Sequence, residues 1–309
     1  VLNHLDNEEV NPILLTGSSK NKSEIYEKIE KGIFNFIIGT HAIFQENLNF
    51  SSLAYVIIDE QHRFGVQQRL YLAEKGINTN ILLMSATPIP RTLALAQYGE
   101  IEQVILKEKP AFQKPIITKV SNIDKIKDIE ILLKKKISNV SQVYWICPLV
   151  EASETQKYKD VETRFKSLKN IFGSEVEMLH GKIKSDQKER IIQNFQKGNI
   201  KILVATTVVE VGIDNKNADY IVIENAEKFG LSQLHQLRGR VGRGNNQGYC
   251  FALYGKDLPD NTINRLKIFK ENLDGFKLSE KDLEIRGTGD ILGYRQSGDS
   301  LFKFVNVYH

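Results

Sequence analysis

The chain has 309 residues, and its 42 Lys and Arg residues outnumber its 38 Asp and Glu residues by four. An apolar share of 41% and a charged share of 26% are typical of a globular protein and exclude intrinsic disorder. No apolar run approaches the roughly 18 residues that a membrane span needs, and the first residues lack the pattern of a secretion signal. We therefore expect two compact domains with some remainder, a cytoplasmic location and no membrane partner.

The first part of the chain alternates between apolar, β-branched runs and segments with helical spacing. Strands are predicted at 12–16, 34–39, 54–59 and 80–86, and helices at 23–30 and 66–74. Strands that are apolar at every position are typical of a parallel sheet covered by helices on both faces. The first unit is therefore predicted to be α/β.

A Lys-rich stretch at 107–114, with Pro110 inside it and Pro115 directly after it, predicts a linker before the pattern resumes. The second α/β unit has predicted strands at 116–120, 142–147, 175–179, 201–205, 218–223 and 249–254, and predicted helices at 123–136, 162–170 and 185–196. From 261 to 297 a helical tail surrounds a glycine-bearing loop. Cys147 and Cys250 lie in apolar runs and are predicted to be reduced core thiols. The expected domains are 1–110, 111–258 and 259–309.

Two adjacent carboxylates, Asp59 and Glu60, end the third apolar run. Ligands of open α/β sheets bind at the carboxyl ends of the strands. There Asp59 could hold Mg²⁺ through a water, while Glu60 orients or deprotonates the water that attacks a γ-phosphate. Adjacent Asp and Glu residues also occur at solvent-exposed strand ends that have no catalytic role. The pair alone therefore does not decide between a catalytic site and an ordinary strand end.

The segment SATPIPRT at 85–92 follows the next predicted strand. The hydroxyls of Ser85 and Thr87 could relay a change at the phosphate. Pro88 and Pro90 are interpreted as a strand-to-helix turn, because proline is favoured at the first position of a helix.

A third segment, QLHQLRGRVGRG at 233–244, places Arg238, Arg240 and Arg243 among three glycines. Glycines let the backbone approach a ligand closely, and guanidinium groups donate forked hydrogen bonds to phosphate oxygens. An arginine finger of this type raises phosphoryl-transfer rates by about 10³ to 10⁵. A basic loop that binds nucleic-acid phosphates is the competing interpretation, and a solvated loop without function is disfavoured.

These motifs resemble those of superfamily-2 helicases. DEQH at 59–62 is similar to their motif II, SATPIPRT to motif III, ATTVVEVGID at 205–214 to motif V and QLHQLRGRVGRG to motif VI. More narrowly, IIDEQHRFGVQQR, ENAEKFGLSQLHQLRGRVGRG and the tail at 274–298 resemble the RecG family of bacterial branched-DNA helicases, practically from end to end. The tail also resembles that of the transcription-repair coupling factor, an alternative that usually has DEEH where this chain has DEQH.

The resemblance implies two RecA-like parallel-sheet lobes of the P-loop NTPase type, the first incomplete, followed by a helical translocation tail. It implies ATP and Mg²⁺ as cofactors. Asp59 would hold the metal and Glu60 would activate water, while Arg240 and Arg243 would meet them across a crevice at the γ-phosphate. The other residues implied at the nucleotide are Gln61, His62, Gly212, Asp214 and Gln236.

The resemblance also implies residues that contact DNA or couple it to the nucleotide. They are Gly39, Thr40, His41, Ser85, Thr87, Gly181, Gln187, Arg190, Thr206, Arg286 and Gln296. For His41, His180 and His235, a structural role as hydrogen-bonded loop or strand-end residues is an equal alternative.

The expected activity is ATP-driven translocation on branched or forked duplex DNA, at stalled forks and Holliday junctions in recombination and repair, by a monomer. The 309 residues contain no GxxxxGK[ST] loop to cradle phosphates. We expect that loop and a DNA-splitting wedge domain upstream of Val1, in the same or a separate polypeptide, and slow or no ATP hydrolysis by this chain alone. A catalytically inactive remnant that retains DNA binding is the alternative.

Overall fold

The computed structural model describes residues 10–60, 71–85 except 73, five positions between 102 and 108, 113–137, 141–148, 159–206 and 215–286. The chain forms two compact units, Val1–Ala86 and Thr87–His309. The predicted domain boundary at residues 110 and 111 lies outside the described residues and stays a prediction.

Among its described residues, the first unit contains two pairs of parallel strands, one complete helix and part of a second. The pairs are β1 (Pro12–Leu15) with β2 (Phe36–Gly39) and β3 (Tyr55–Ile58) with β4 (Asn80–Leu83), and helix α1 (Lys22–Glu30) connects β1 to β2. The predicted strands and the first predicted helix are confirmed, although each strand is shorter than its apolar run. The predicted helix at 66–74 lies mostly outside the described residues, of which 71, 72 and 74 are helical.

The main core of the first unit lies between α1, β1 and a short 3-10 turn, His41–Phe44. Leu15, Ile29 and Leu48 are almost completely buried there. Ile25, Tyr26 and Ile29 lie on one side of α1 at helical spacing, so their burial fixes the side of the helix that packs against the strands.

Strand β3 has one buried and one exposed face. Val56 and Ile58 are 7% and 4% exposed, whereas Tyr55 and Ile57 are 55% and 56% exposed. Successive strand residues point to opposite faces, so the described residues cover β3 on one face only. The helical layer that an all-apolar strand predicts on the other face is not found in the described part of this unit.

The second unit is built on a six-stranded parallel sheet with the order β5-β10-β9-β6-β8-β7. Its strands are β5 (Ile117–Asn122), β6 (Gln142–Ile146), β7 (Val176–Leu179), β8 (Ile202–Ala205), β9 (Ala218–Ile223) and β10 (Tyr249–Tyr254). Every neighbouring pair is parallel, so each connection crosses back to the amino edge of the sheet. All six predicted strands of this unit are confirmed.

Helices cover both faces of this sheet. α2 (Ile126–Lys136) and α3 (Lys159–Phe172) pack on one face, and α4 (Ser185–Gln196) and α5 (Leu231–Arg238) pack on the other. Strand β6 shows the division, because Val143 and Trp145 belong to one core cluster while Tyr144 and Ile146 belong to the other. The three layers explain why the strands are apolar at every position, and they confirm the predicted α/β fold.

Two tail helices, α6 (Asp260–Glu271) and α7 (Gly275–Arg286), follow the last strand and pack against α5. Leu266, Phe269 and Leu278 join them to the core. The predicted helical tail is confirmed as far as residue 286. No helix in the described part of the chain is long and apolar enough to cross a membrane.

Both cysteines of the chain are free and buried, as the sequence predicts. Burial raises the pKa of the Cys250 thiol to about 12, and burial also raises the pKa of Cys147. Both thiols therefore remain protonated and unreactive near neutral pH.

Candidate functional site

Asp59 and Glu60 lie directly after β3, at the carboxyl end of the strand. The Glu60 N–H donates to Asp59 Oδ1 over 2.8 Å, and Glu60 has a left-handed backbone with a φ of 49°. A non-glycine residue in this conformation costs about 1 to 3 kcal/mol, and such residues concentrate at functional sites. Asp59 is exposed and Glu60 is half-buried. The turn therefore fixes two adjacent carboxylates at the edge where α/β sheets bind ligands.

Strand β4 brings Ser85 to the same edge of the first unit. The N–H of Met84 donates to the carbonyl of Ile58 over 2.8 Å, and the register aligns Ile58 with Leu83. Ser85 is half-buried and lies level with the carboxylate pair. The structure thus places Asp59, Glu60 and Ser85, the described residues of the predicted motifs II and III, at one strand edge.

Gly39, Thr40 and His41 lie together where β2 ends and the 3-10 turn begins. The Thr40 N–H donates to the carbonyl of Leu15 over 3.2 Å, which ties this turn to the end of β1. Thr40 and His41 are exposed, and the His41 ring lies 6.3 Å from the ring of Phe44. These residues are therefore accessible at the carboxyl edge of the β1–β2 pair.

The loop at residues 16–20 lies beside this turn, and it was not predicted from the sequence. The Thr16 N–H donates to Ser19 Oγ over 2.9 Å, and Lys22 Nζ donates to the carbonyl of Gly17 over 2.7 Å. Since β1 and β2 are parallel, this loop and residues 39–41 lie at the same edge. The sequence feature that could have identified this loop is a cluster of hydroxyl residues, glycine and lysine directly after an apolar run.

Replacing Gly39 by alanine is expected to destabilise the β1–β2 pair by about 1 to 3 kcal/mol. A Cβ at this position would overlap the backbone carbonyl of Leu15 and approach Ile43 Cδ1 to 2.7 Å. Native-state hydrogen exchange at the amides of both strands measures the loss. Gly17→Ala is the matched control, because a Cβ there meets nothing within 4 Å. Equal exchange in the two variants would contradict this packing role.

His180 and Thr206 lie at the carboxyl edge of the six-stranded sheet, after β7 and β8. The Thr206 N–H donates to the carbonyl of Leu179 over 3.4 Å, and its buried hydroxyl has no hydrogen-bond partner among the described residues. His180 Nδ1 accepts the Lys182 N–H over 3.3 Å, and burial lowers the pKa of this imidazole. These contacts favour the interpretation of His180 as a hydrogen-bonded strand-end residue.

Gly181, Gln187 and Arg190 share an exposed stretch between β7 and the first turns of α4. Lys188 Nζ donates to the carbonyl of Gly181 over 3.0 Å, which holds the loop against the helix. Gln187 and Arg190 are three residues apart on α4, so they lie on the same side of the helix. The structure therefore brings these three predicted residues together.

Residues 239–244, here called the arginine loop, lie at the opposite, amino edge of the sheet. The Gly242 N–H donates to the carbonyl of Ala218, the first residue of β9, over 3.1 Å. A Cβ on Gly244 would come within 2.5 Å of the carbonyl oxygen of Lys216. The glycines thus allow a close approach to the chain's own backbone directly after motif V.

The arginine loop holds Arg240 and Arg243 half-buried. Arg243 Nε donates to the carbonyl of Gly239 over 2.9 Å, and this hydrogen bond restrains the guanidinium group. Gln236 precedes the loop within α5 and is also half-buried. The predicted meeting of these residues with Asp59 and Glu60 joins groups from different units and stays a prediction.

Arg238 corrects the sequence-based description of this segment. It is the last residue of helix α5 and is 2% exposed, so it belongs to no phosphate-binding loop. His235 also lies within α5 rather than in a loop or at a strand end. Helix α5 was not predicted from the sequence, because its last residues are followed directly by the glycines of the arginine loop.

A partly buried ionic cluster at the carboxyl edge of β6 and β9 was also not predicted from the sequence. Arg164 Nε donates to Glu224 Oε1 over 2.5 Å, and its Nη1 donates to Glu130 Oε1 over 3.1 Å. Trp145 Nε1 donates to the same Glu224 oxygen over 2.5 Å. Burial raises the pKa of Glu130, partly offset by Arg164. The cluster joins α2, α3, β6 and the loop after β9, and its members have no motif spacing that could reveal it.

Several predicted site residues lie outside the described part of the chain. They are Gln61, His62, Thr87, Gly212, Asp214 and Gln296, together with the side chain of Arg286, the last residue of α7. Their assignments stay predictions.

Two helicase families match the chain. Residues 3–96 match the DEAD/DEAH box helicases, and residues 122–245 match the helicase conserved C-terminal domain. The DEAD-box helicase Mss116 bound to ssRNA and UDP-BeF shares the fold, with a TM-score of 0.62 at 17% identity over 91% of this chain and 62% of that one. Both matched segments are therefore helicase domains, and the Mss116 structure shows that their fold is shared.

Within this class, the relatives share sequence over nearly the whole chain. ATP-dependent DNA helicase RecG of Borreliella burgdorferi is 48% identical over 299 residues, and RecG of Staphylococcus aureus is 44% identical over 304 residues. These alignments cover 95% and 97% of this chain but only 43% and 44% of the relatives. The structure of RecG bound to a three-way DNA junction has a TM-score of 0.70 at 37% identity, over 91% of this chain and 37% of that one. The chain belongs to the RecG family, and it spans less than half of the length of these curated relatives.

Proposed function

We propose that this chain forms the motor part of an ATP-dependent helicase that translocates on branched or forked DNA in the cytoplasm and serves recombination and repair. The match with RecG over 95% of the chain carries this proposal. The structure of RecG bound to a three-way DNA junction supports branched DNA as the proposed substrate class. The strained Asp59–Glu60 turn supports nucleotide hydrolysis as the source of energy.

At the nucleotide, Glu60 orients and deprotonates the attacking water, and Arg240 and Arg243 stabilise the charge that develops on the terminal phosphate. Asp59 offers an exposed carboxylate at the carboxyl end of β3. This fits Mg²⁺, which is usually held by one or two carboxylates, waters and substrate phosphates. Bound there, the metal would neutralise phosphate charge.

At the DNA, the proposal assigns the backbone contacts to two exposed stretches. Thr40 and His41 belong to the first unit, and Gln187 and Arg190 belong to the second. Hydroxyls, imidazoles and guanidinium groups at such sites donate to phosphate oxygens without reading sequence. Binding should therefore depend on the shape of the DNA and weaken as salt is added.

A remnant that binds DNA without turning over ATP is the second candidate function. The observation that favours it is the absence of a GxxxxGK[ST] loop from these 309 residues. Without nested N–H groups and a lysine around the β- and γ-phosphates, the carboxylates and arginines have no firmly held substrate.

ATP hydrolysis in the presence of a three-way junction separates the two candidates. We expect this chain alone to bind the junction in a salt-sensitive way with little or no turnover. The product of the complete reading frame, including any codons upstream of Val1, should hydrolyse ATP faster with the junction than with linear duplex. A reading frame without a phosphate loop, whose product binds the junction but releases no phosphate, would support the remnant instead.

A further inference from the structure

Asp219, the second residue of β9, lies in a β-bulge at the amino edge of the six-stranded sheet. Gln142 of β6 pairs with Ala218. The next residue of β6, Val143, pairs with Tyr220, so β9 has one extra residue between two consecutive pairs. Ala218 and Tyr220 therefore belong to core clusters on opposite faces of the sheet, although they are two residues apart. A bulge redirects the side chain of the extra residue, and bulges are frequent beside active sites.

The Asp219 side chain is buried and joins two other parts of the second unit. It is 2% exposed, and its Oδ2 accepts from the Ser141 hydroxyl over 2.7 Å and from the Asn246 side-chain amide over 3.0 Å. Its Oδ1 accepts no hydrogen bond from the described residues. A buried carboxylate oxygen without a donor is destabilising, so stability alone does not explain a carboxylate at this position. Asp219, Ser141 and Asn246 are here called the Asp219 anchor.

The arginine loop contacts the start of β9 at further points. Besides the hydrogen bond from the Gly242 N–H to the carbonyl of Ala218, Gly244 lies against the carbonyl of Lys216. These contacts depend on backbone and on glycines, which permit a close approach. Asn246 lies two residues after the loop and adds a hydrogen bond to a charged acceptor. Such a bond is about twice as strong as one between neutral groups, so the anchor should hold the loop more firmly than the backbone contacts do.

The stretch at 215–219 that receives the arginine loop is itself fixed. Asn215 is 4% exposed, its Nδ2 donates to Gln142 Oε1 over 3.0 Å, and its Oδ1 accepts from the Asn217 N–H over 3.0 Å. Gln142 Nε2 in turn donates to the carbonyl of Phe195 in α4 over 2.6 Å. These buried hydrogen bonds join the stretch to β6 and to α4. A loop that is bound to this stretch is therefore held against the sheet.

We propose that Asp219 is a positioning residue that acts through Asn246 and holds the arginine loop on the stretch 215–219 before nucleotide binds. Arg240 and Arg243 are thereby placed in advance, and donors that need no reordering during the reaction stabilise a transition state most effectively. This inference rests on the proposed helicase function for its effect on hydrolysis, whereas the Asp219 anchor lies within the second unit. Asp219 touches neither nucleotide nor DNA in this scheme.

Hydrogen exchange on this chain tests the Asp219 anchor without requiring any activity. Asn246 is exposed, so Asn246→Ala should keep the fold while it removes one donor to Asp219. The Gly242 amide should then exchange about tenfold faster, because the loop loses a hydrogen bond to a charged group. Asn245→Ala, at the exposed neighbouring position, is the matched control and should leave this amide unchanged. Equal exchange of the Gly242 amide in the two variants would overturn the proposal.

Two replacements of Asp219 separate positioning from a general loss of stability. Asp219→Asn keeps an oxygen that can accept from Ser141 and Asn246, so it should retain most of the protection of the Gly242 amide. Asp219→Ala has no acceptor and should lose this protection. Amides of β8 report on the unit as a whole and should exchange at the same rate in both variants. A loss of Gly242 protection in Asp219→Asn as large as that in Asp219→Ala contradicts the proposed role.

The effect on catalysis is measured in the product of the complete reading frame. Asn246→Ala should lower kcat for junction-stimulated ATP hydrolysis about tenfold while KM for ATP stays within about twofold, because arginine fingers act on the transition state. Asp219→Asn should retain a higher kcat than Asp219→Ala. A purely structural anchor would change stability and leave kcat unaltered. An unchanged kcat in Asn246→Ala therefore removes the positioning role.

Failure of this inference and failure of the proposed function are distinguishable. If the unmodified product hydrolyses no ATP in the presence of the junction, the proposed function fails. The exchange of the Gly242 amide in this chain then decides by itself whether Asp219 holds the arginine loop.

Discussion

Replacing Arg164 by methionine is expected to lower the free energy of unfolding of the second unit by about 3 kcal/mol or more. Its guanidinium is the cation shared by Glu224, which is buried, and Glu130, which is half-buried; their side chains are 11% and 12% exposed. Methionine fills the space but leaves both carboxylates without this partner. Urea unfolding followed by the fluorescence of Trp145, the single tryptophan of the chain and a member of the cluster, measures the loss in this unit.

The stability lost in Arg164→Met should be smaller at acidic pH. Burial raises the pKa of Glu130, so the folded state favours the neutral form of this carboxyl. Above the raised pKa the variant carries the full cost of a buried charge, and as the pH falls through that pKa the cost disappears. The difference from the unmodified chain should therefore shrink as the pH is lowered from neutral through the raised pKa of Glu130.

Lys281→Met is the control for Arg164→Met, because Lys281 and Glu284 form an ion pair in which both side chains are about half exposed. Such pairs contribute about 0 to 1 kcal/mol. Adding Glu224→Gln to Arg164→Met should recover part of the lost stability. Similar losses from Arg164→Met and Lys281→Met would show that the buried cluster contributes no more than a surface pair.

The strands of the second unit could be predicted from the sequence because the apolar pattern that forms each strand lies within the strand itself. Strand β9, for example, is apolar or aromatic at five of its six positions, and all six are buried between helical layers. The same logic predicted the edge where Asp59 and Glu60 lie. Helix α5 was missed although Leu231, Leu234 and Leu237 follow helical spacing, because the glycines and arginines after it suggested a loop.

The burial of Arg238 could not be read from its neighbours in sequence. Its acceptors, the carbonyls of Phe269 and Asn272, come 31 and 34 residues later and belong to backbone, which carries no residue-type signal. The cluster of Arg164, Glu130 and Glu224 similarly joins residues 34 and 60 positions apart. Contacts between elements of this kind depend on how helices pack, and periodicity within one element contains no information about them.

Replacing Glu60 by glutamine is expected to reduce junction-stimulated ATP hydrolysis by the product of the complete reading frame about 10²- to 10⁴-fold. Glutamine keeps the size of the side chain and has the same difficulty in adopting a φ of 49°, so the turn and its strain are retained. What is lost is the carboxylate that deprotonates the attacking water. Steady-state phosphate release gives kcat and KM, and the effect should fall on kcat while ATP binding stays unchanged.

Glu74→Gln makes the same chemical change at an exposed helical position of the first unit and should leave hydrolysis unchanged. Glu60→Gly separates strain from chemistry. Glycine adopts a positive φ without cost, so this variant should be about 1 kcal/mol more stable than Glu60→Ala and equally inactive. Hydrolysis by Glu60→Gln within about threefold of the unmodified product would remove Glu60 from the catalytic role and leave the strained turn without a functional explanation.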